Sequence, residues 1–172
     1  RPAPHLAAER LAHDLRINLS PRVAEEQRIV VVDIDERSLA ALGPWPWPRK
    51  RMAALVDALN ERYAVGLIGL DIVFPEARVG DEVLMRSLER SQAVMAQVFD
   101  PSPESVNHAG TLADPLPQPP LPGPGAVAAG GYIANHSSLH FPGVRAGHIT
   151  PTLDVDGKVR RLQAVACHDG HC

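Results

Sequence analysis

The sequence predicts an α/β fold: a mixed, mainly parallel sheet flanked by helices, with an antiparallel hairpin at its C-terminal end. Three observations lead there. Two apolar runs, 28–34 and 65–74, are separated by a helical pattern over 49–62, the spacing of a βαβ unit whose strands run parallel. A third apolar run, 93–99, follows a further helical pattern over 81–90. Asp156-Gly157 sits between two strand-like stretches, 148–155 and 158–166, and is a strong two-residue hairpin signal.

Taken in order, residues 5–19 carry Ala8, Leu11, Leu15 and Leu19 at helical spacing with charges on the other side, an amphipathic helix ended by Ser20-Pro21. Ile29, Val30, Val31 and Val32 are β-branched and uninterrupted, the pattern of a strand buried on both faces. Asp35 or Ser38 can cap a short helix that Gly43 stops. Pro44, Pro46 and Pro48 then stiffen the loop, and Pro48 suits the first turn of the helix beginning at Arg49. That helix puts Met52, Leu55, Val56 and Leu59 on one face. Asp81 is placed to cap the next helix, with Val83, Leu84 and Leu88 inward. Residues 100–125 form a long proline-rich loop, and 126–134 return as a strand.

The bulk properties exclude several classes. A chain of 172 residues, 45% hydrophobic, is one globular domain by length and can bury an ordinary core. A net charge of −3 with no strongly basic stretch argues against nucleic acid as a partner. The charge-free stretch 115–144 is long enough to span a bilayer, but its prolines, glycines and polar residues forbid a helix in lipid. No signal peptide is present, and the chain opens on Arg1 and closes on Cys172 in mid-pattern, which reads as a piece of a longer protein.

Three constellations could carry chemistry. Asp33, Asp35 and Asp71 end the first two apolar runs; on neighbouring parallel strands they would gather at the C-terminal edge, where open α/β sheets bind ligands. Such a cluster needs a compensating cation, helix amides or Arg49, so a divalent ion is one possible occupant; helix capping and pairing with arginine is the plainer use of the same residues. Trp45 and Trp47 bracket a proline beside that edge and could stack on a ligand ring or cation, or simply plug the junction of helix and sheet. Cys167-His168-Asp169-Gly170-His171-Cys172 is the third. A hairpin sets Cys167 opposite Cys172, close to what a disulfide requires, and an extracytoplasmic setting favours the bridge over free thiols. Zinc fits this short spacing poorly, and His168 and His171 then read as exposed turn residues. The run Val30–Asp35 also looks like the opening motif of haloacid-dehalogenase-like phosphohydrolases, which would make Asp33 a nucleophile with Mg²⁺ beside it. Arg37 stands where that family wants Thr or Val, and no later lysine or acidic pair completes the site.

The chain as a whole resembles the second type of CHASE domain, the extracytoplasmic sensors of bacterial receptors. The resemblance rests on Asp33-Ile34-Asp35 with Ser38-Leu39, then Leu42-Gly43, then Trp45-Pro46-Trp47-Pro48-Arg49, the most specific segment. Gly69-Leu70-Asp71-Ile72-Val73-Phe74, Asp81 and Asp156-Gly157-Lys158-Val159-Arg160-Arg161 follow in matching order, while 115–124 is not a recognised feature of that family. The resemblance implies a single non-catalytic sensor domain over 1–172, in the periplasmic or extracellular part of a bacterial inner-membrane protein whose output is an adenylate or diguanylate cyclase, a histidine kinase or a serine/threonine kinase. It implies a homodimer, a small-molecule or periplasmic stimulus, and no dedicated cofactor. The candidate ligand-binding residues are Asp33, Asp35, Ser38, Trp45, Trp47, Arg49, Asp71 and Asp81. A Mg²⁺-dependent phosphohydrolase and a structural dimerisation module are the alternatives.

Overall fold

The structure is a computed structural model that describes residues 4–20, 26–113 and 126–172. Pro21 and the proline-rich 115–124 segment lie outside the described residues. The chain divides into two compact units, Arg1–Gly43 and Pro44–Cys172.

In the first unit, α1 (Pro4–Leu19) forms where helical spacing places it, and the Ser20 hydroxyl donates to the Arg16 carbonyl at its end. Its Leu11, Leu15 and Leu19, the apolar side of the amphipathic pattern, are all exposed. The second helix, α2 (Glu36–Leu42), is capped as expected: Asp35 accepts from the Ser38 amide, and Gly43, at φ 94°, ends the helix. That cap holds the Asp35 carboxyl below the ordinary carboxylate range, the Ser38 amide contributing most.

The predicted strand over 28–34 is absent. These residues belong to no helix or strand, and Ile29, Val30, Val31 and Val32 are 72, 78, 87 and 55% exposed. β-Branched side chains favour an extended backbone, but a strand exists only where a neighbour takes up its N–H and C=O groups.

The second unit is the mixed α/β body, and its βαβ unit is built one element later than expected. It is β1 (Ile68–Leu70), α4 (Asp81–Arg90) and β2 (Ala93–Asp100), with β1 parallel to β2. Of the run 65–74, only three residues pair. Helix α3 (Arg49–Tyr63) lies against α4 and buries Met52, Ala53 and Val56, while Leu55 and Leu59 are half-buried. Pro48 is its N-cap rather than its first helical residue. Gly80, at φ 95°, is the N-cap of α4, and Asp81 is the first residue inside it.

β2 is the centre of the sheet. Its alternate residues Ala93, Met95, Gln97 and Phe99 are buried, as is Ala96. Beyond α4, β3 (His108–Ala109), β4 (Ala126–Ala128), β5 (Gly131–Ile133) and β6 (Arg145–His148) follow, with a 3-10 turn at Ser137–Leu139. β6 runs parallel to β2 on the edge opposite β1. Past its end, the Thr150 hydroxyl extends the ladder by accepting from the Phe99 amide and donating to the Phe99 carbonyl. β5 pairs antiparallel with the far half of β2 and carries β3 on its outer side. The expected single strand over 126–134 is therefore two, broken at Gly130. Close packing explains why glycine follows: a Cβ on Gly131 would lie 2.5 Å from the Ser105 hydroxyl and 2.7 Å from the Asn107 carbonyl.

The Asp156-Gly157 hairpin forms between β7 (Thr152–Leu153) and β8 (Val159–Arg161), much shorter than the flanking patterns. The C-terminal half is not uniformly antiparallel: β6 is parallel to β2, and β9 (Val165–Cys167) is parallel to β4. Cys167 and Cys172 are joined in a disulfide with Cα atoms 4.1 Å apart, across a turn closed by reciprocal His168–His171 backbone hydrogen bonds. His168 is not an exposed turn residue, its side chain being 12% exposed.

Candidate functional site

The most specific sequence segment builds a buried lock. Trp45-Pro46 is a cis peptide; Trp45 is 42% exposed and Trp47, 6.1 Å away between ring centroids, is 5% exposed. The turn delivers Arg49 into the interior, where it is 3% exposed. Its Nε donates to Asp81 Oδ1 at 2.7 Å, one Nη donates to the Glu76 carbonyl at 3.1 Å, and the guanidinium lies 4.2 Å from the centre of the Phe74 ring. Asp81, 6% exposed, accepts on Oδ2 from the Arg78 amide and from the Ser138 hydroxyl, at 2.9 and 2.6 Å. Burial pushes the Asp81 carboxyl up, but the Ser138 hydroxyl, the Arg78 amide and Arg49 together outweigh it and hold the group below the ordinary carboxylate range. Both charges are thus consumed inside the fold. Arg49 and Asp81 join α3, α4 and the 3-10 turn, and Trp47 belongs to the same buried layer rather than to a lid.

Asn135, 4% exposed, ties the same layer to the sheet. Its Oδ1 accepts from the Phe74 amide and its Nδ2 donates to the Ala96 carbonyl, both at 2.9 Å. It supplies the partners that a longer strand over 71–74 would otherwise have needed.

The expected acidic cluster is split between the two units. Asp33, Asp35 and Ser38 belong to the first unit, Asp71 to the second, and the strand that was to carry Asp33 and Asp35 is missing. Asp35 and Ser38 are engaged with each other in the helix cap. Among the described residues, no group of three or more His, Cys, Asp or Glu is arranged to hold a metal ion.

What does sit at the C-terminal ends of β1 and β6, across the first half of β2 between them, is a shallow, open groove of about 280 Å³. Asp71, exposed, stands at its rim. Its floor is low because small residues meet in register: Gly69 faces Val94, and Ala96 faces Gly147. A Cβ on Gly69 would meet nothing within 4 Å, and one on Gly147 would make only an ordinary contact with the Val94 methyl at 3.7 Å, so neither position is crowded. His148 lines the groove, edge-on to Phe99 at 6.2 Å, with its Nδ1 buried and lacking a hydrogen-bond partner among the described residues. Of the expected site residues only Asp71 is here. Val94, Gly147 and His148 were missed because nothing in the chain signals that 145–148 pairs with β2. The one available hint was glycine inside strand-like stretches, which marks a close backbone approach or a bare surface.

A family model described as the CHASE2 domain matches residues 2–169, nearly the whole chain. No curated protein and no solved structure matches it.

Proposed function

Because the chain belongs to the CHASE2 domain family of extracytoplasmic sensory, non-catalytic domains, we propose that it is the receiving domain of a membrane-bound bacterial signalling receptor. Its output would be an adenylate or diguanylate cyclase, a histidine kinase or a serine/threonine kinase. The stimulus is a small periplasmic molecule that takes the groove across β1, β2 and β6, with Asp71 as its polar anchor. The observation that carries this reading is the shallow, glycine-floored groove at the C-terminal ends of β1 and β6, near where open α/β sheets usually hold a ligand. A ligand that prefers one arrangement of the domain shifts its population, and that shift is the signal. A homodimer is the expected working unit, and the exposed Leu11, Leu15 and Leu19 of α1 support a helix contact between protomers.

Filling the groove tests the reading. Gly69→Val puts a side chain into open space, Gly147→Val sets one beside Val94 without a clash, and both suit a strand. A panel of small amines, amino acids and organic acids is screened by thermal shift against the parent chain. A stabilising compound whose effect is lost in Gly69→Val, with the unliganded Tm unchanged, supports the site. Stabilisation that survives both substitutions overturns it. Turnover of an aryl phosphate with Mg²⁺ would restore the phosphohydrolase alternative.

A further inference from the structure

Apart from the groove, three rings from distant parts of the chain meet where the short β4–β9 sheet joins the main one. His108 on β3, Tyr132 on β5 and His168 just after β9 stack on one another with centroids 5.1 Å (His108–Tyr132), 4.8 Å (His108–His168) and 5.1 Å (Tyr132–His168) apart. Each imidazole bonds a neighbouring carbonyl of the turn between β4 and β5: His168 Nδ1 lies 2.8 Å from the Ala129 oxygen and His108 Nε2 lies 3.3 Å from the Gly130 oxygen. A carbonyl only accepts, so these two nitrogens carry protons, and each neutral ring keeps its bare nitrogen on the other side. The Ala129 amide in turn donates to the Cys167 carbonyl at 2.8 Å, so the two imidazoles and this bond clamp the disulfide-closed turn onto residues 129–131.

We propose that His108, Tyr132 and His168 form an acid-sensitive latch, closed while the imidazoles are neutral and released when both are charged. Imidazole gains its charge between about pH 5 and 8, the range an extracytoplasmic surface meets. The titratable groups on the elements that meet here are Asp169 and His171 on the C-terminal turn, Asp100 at the end of β2, Glu104 on the adjoining loop, and the Tyr132 phenol. Asp169 Oδ2 lies 3.6 Å from His168 Nε2 and can balance one added proton. The Asp100 carboxylate is turned away to the Ser102 amide at 2.9 Å. A second proton therefore sets two cations about one ring spacing apart with one carboxylate, itself 90% exposed, to balance them. At that separation the repulsion favours parting the rings roughly four-fold at the dielectric of water and over about a hundred-fold at that of a protein surface. What opens is the C-terminal turn and its hold on β4. The inference rests on ring geometry and not on the groove, so the two fail separately.

Hydrogen exchange on the 172-residue chain, followed by NMR at about pH 7.5 and about pH 5, tests the latch. After correction for intrinsic exchange, the Ala129, His168 and His171 amides should exchange roughly ten-fold faster in acid, while α4 amides hold their protection. His108→Gln and His168→Asn keep an amide N–H near the place of each donating ring nitrogen but cannot titrate, so the double variant should lose the acid response. An unchanged acid rise in the double variant, or no rise in the parent, overturns the proposal. Should the double variant fail to fold, His108→Gln alone removes the cation pair and must cut the rise; if it does not, the latch is refuted.

Discussion

Truncating Asp81 to alanine should be among the most destabilising substitutions in the chain. The change leaves Arg49 charged and 3% exposed without its carboxylate, and strips the Arg78 amide and the Ser138 hydroxyl of their acceptor. Removing one partner of a buried pair costs about 3–5 kcal/mol, because the remaining charge stays out of water uncompensated. That is a large share of the 5–15 kcal/mol typical of a folded domain, and with ordinary urea dependence it lowers the midpoint by on the order of 2 M. Equilibrium urea unfolding of Asp81→Ala, Arg49→Met and Arg49→Met/Asp81→Ala forms the cycle. The double replacement removes both charges together, and Met retains an apolar stem over Phe74, so it should recover much of the loss. Asp81 titrates below the ordinary carboxylate range when folded, so the lock is complete above about pH 4 and fades as pH falls through the lowered value. A cost below about 1 kcal/mol for Asp81→Ala, or a double variant as unstable as the sum of its parts, would refute the lock.

Two further outcomes follow from the same coordinates. Asp156 is lowered to about 2 chiefly by Arg160, whose Nη1 and Nη2 reach its carboxylate at 2.8 and 2.7 Å. The hairpin should therefore keep its form down through about pH 4 and loosen only as pH drops toward 2, read from the chemical shifts of 152–161; loss at pH 5 would contradict it. Asn135→Ala leaves the Phe74 amide and the Ala96 carbonyl buried without the partners Asn135 gave them and should cost about 2–4 kcal/mol, with raised exchange at the Phe74 amide. A change within about 0.5 kcal/mol would mean that water replaces the amide.

Local chemistry alone placed much of the fold. Asp35 and Gly43 set the limits of α2, the 3.6-residue spacing of Met52 and Val56 marked the buried face of α3, and Asp156-Gly157 fixed the hairpin turn. Each is decided by residues a few positions apart, so each is written in order along the chain. The opposite fate of the two acidic strand ends shows the limit. Ile29–Val32 has the stronger strand composition, yet among the described residues it pairs with no strand, while Gly69 and Gly147, poor strand formers, lie in paired strands. Pairing depends on which distant segment arrives alongside, and composition does not encode that.

The candidate site divides the same way. Trp45 to Arg49 and Asp81 were visible as special residues, since two indoles in three positions and an aspartate at the start of a helical pattern stand out in any chain. That Arg49 and Asp81 meet depends on the chain folding back over a separation of 32 residues to bring them together. The groove at Asp71 and the rings at His108, Tyr132 and His168 arise the same way, from segments brought together by β2 and β5. The sequence by itself determined the class of fold, the helix limits, the hairpin and the family. Tertiary structure alone decided which charges are buried and which surface is concave, because burial is a property of neighbours in space.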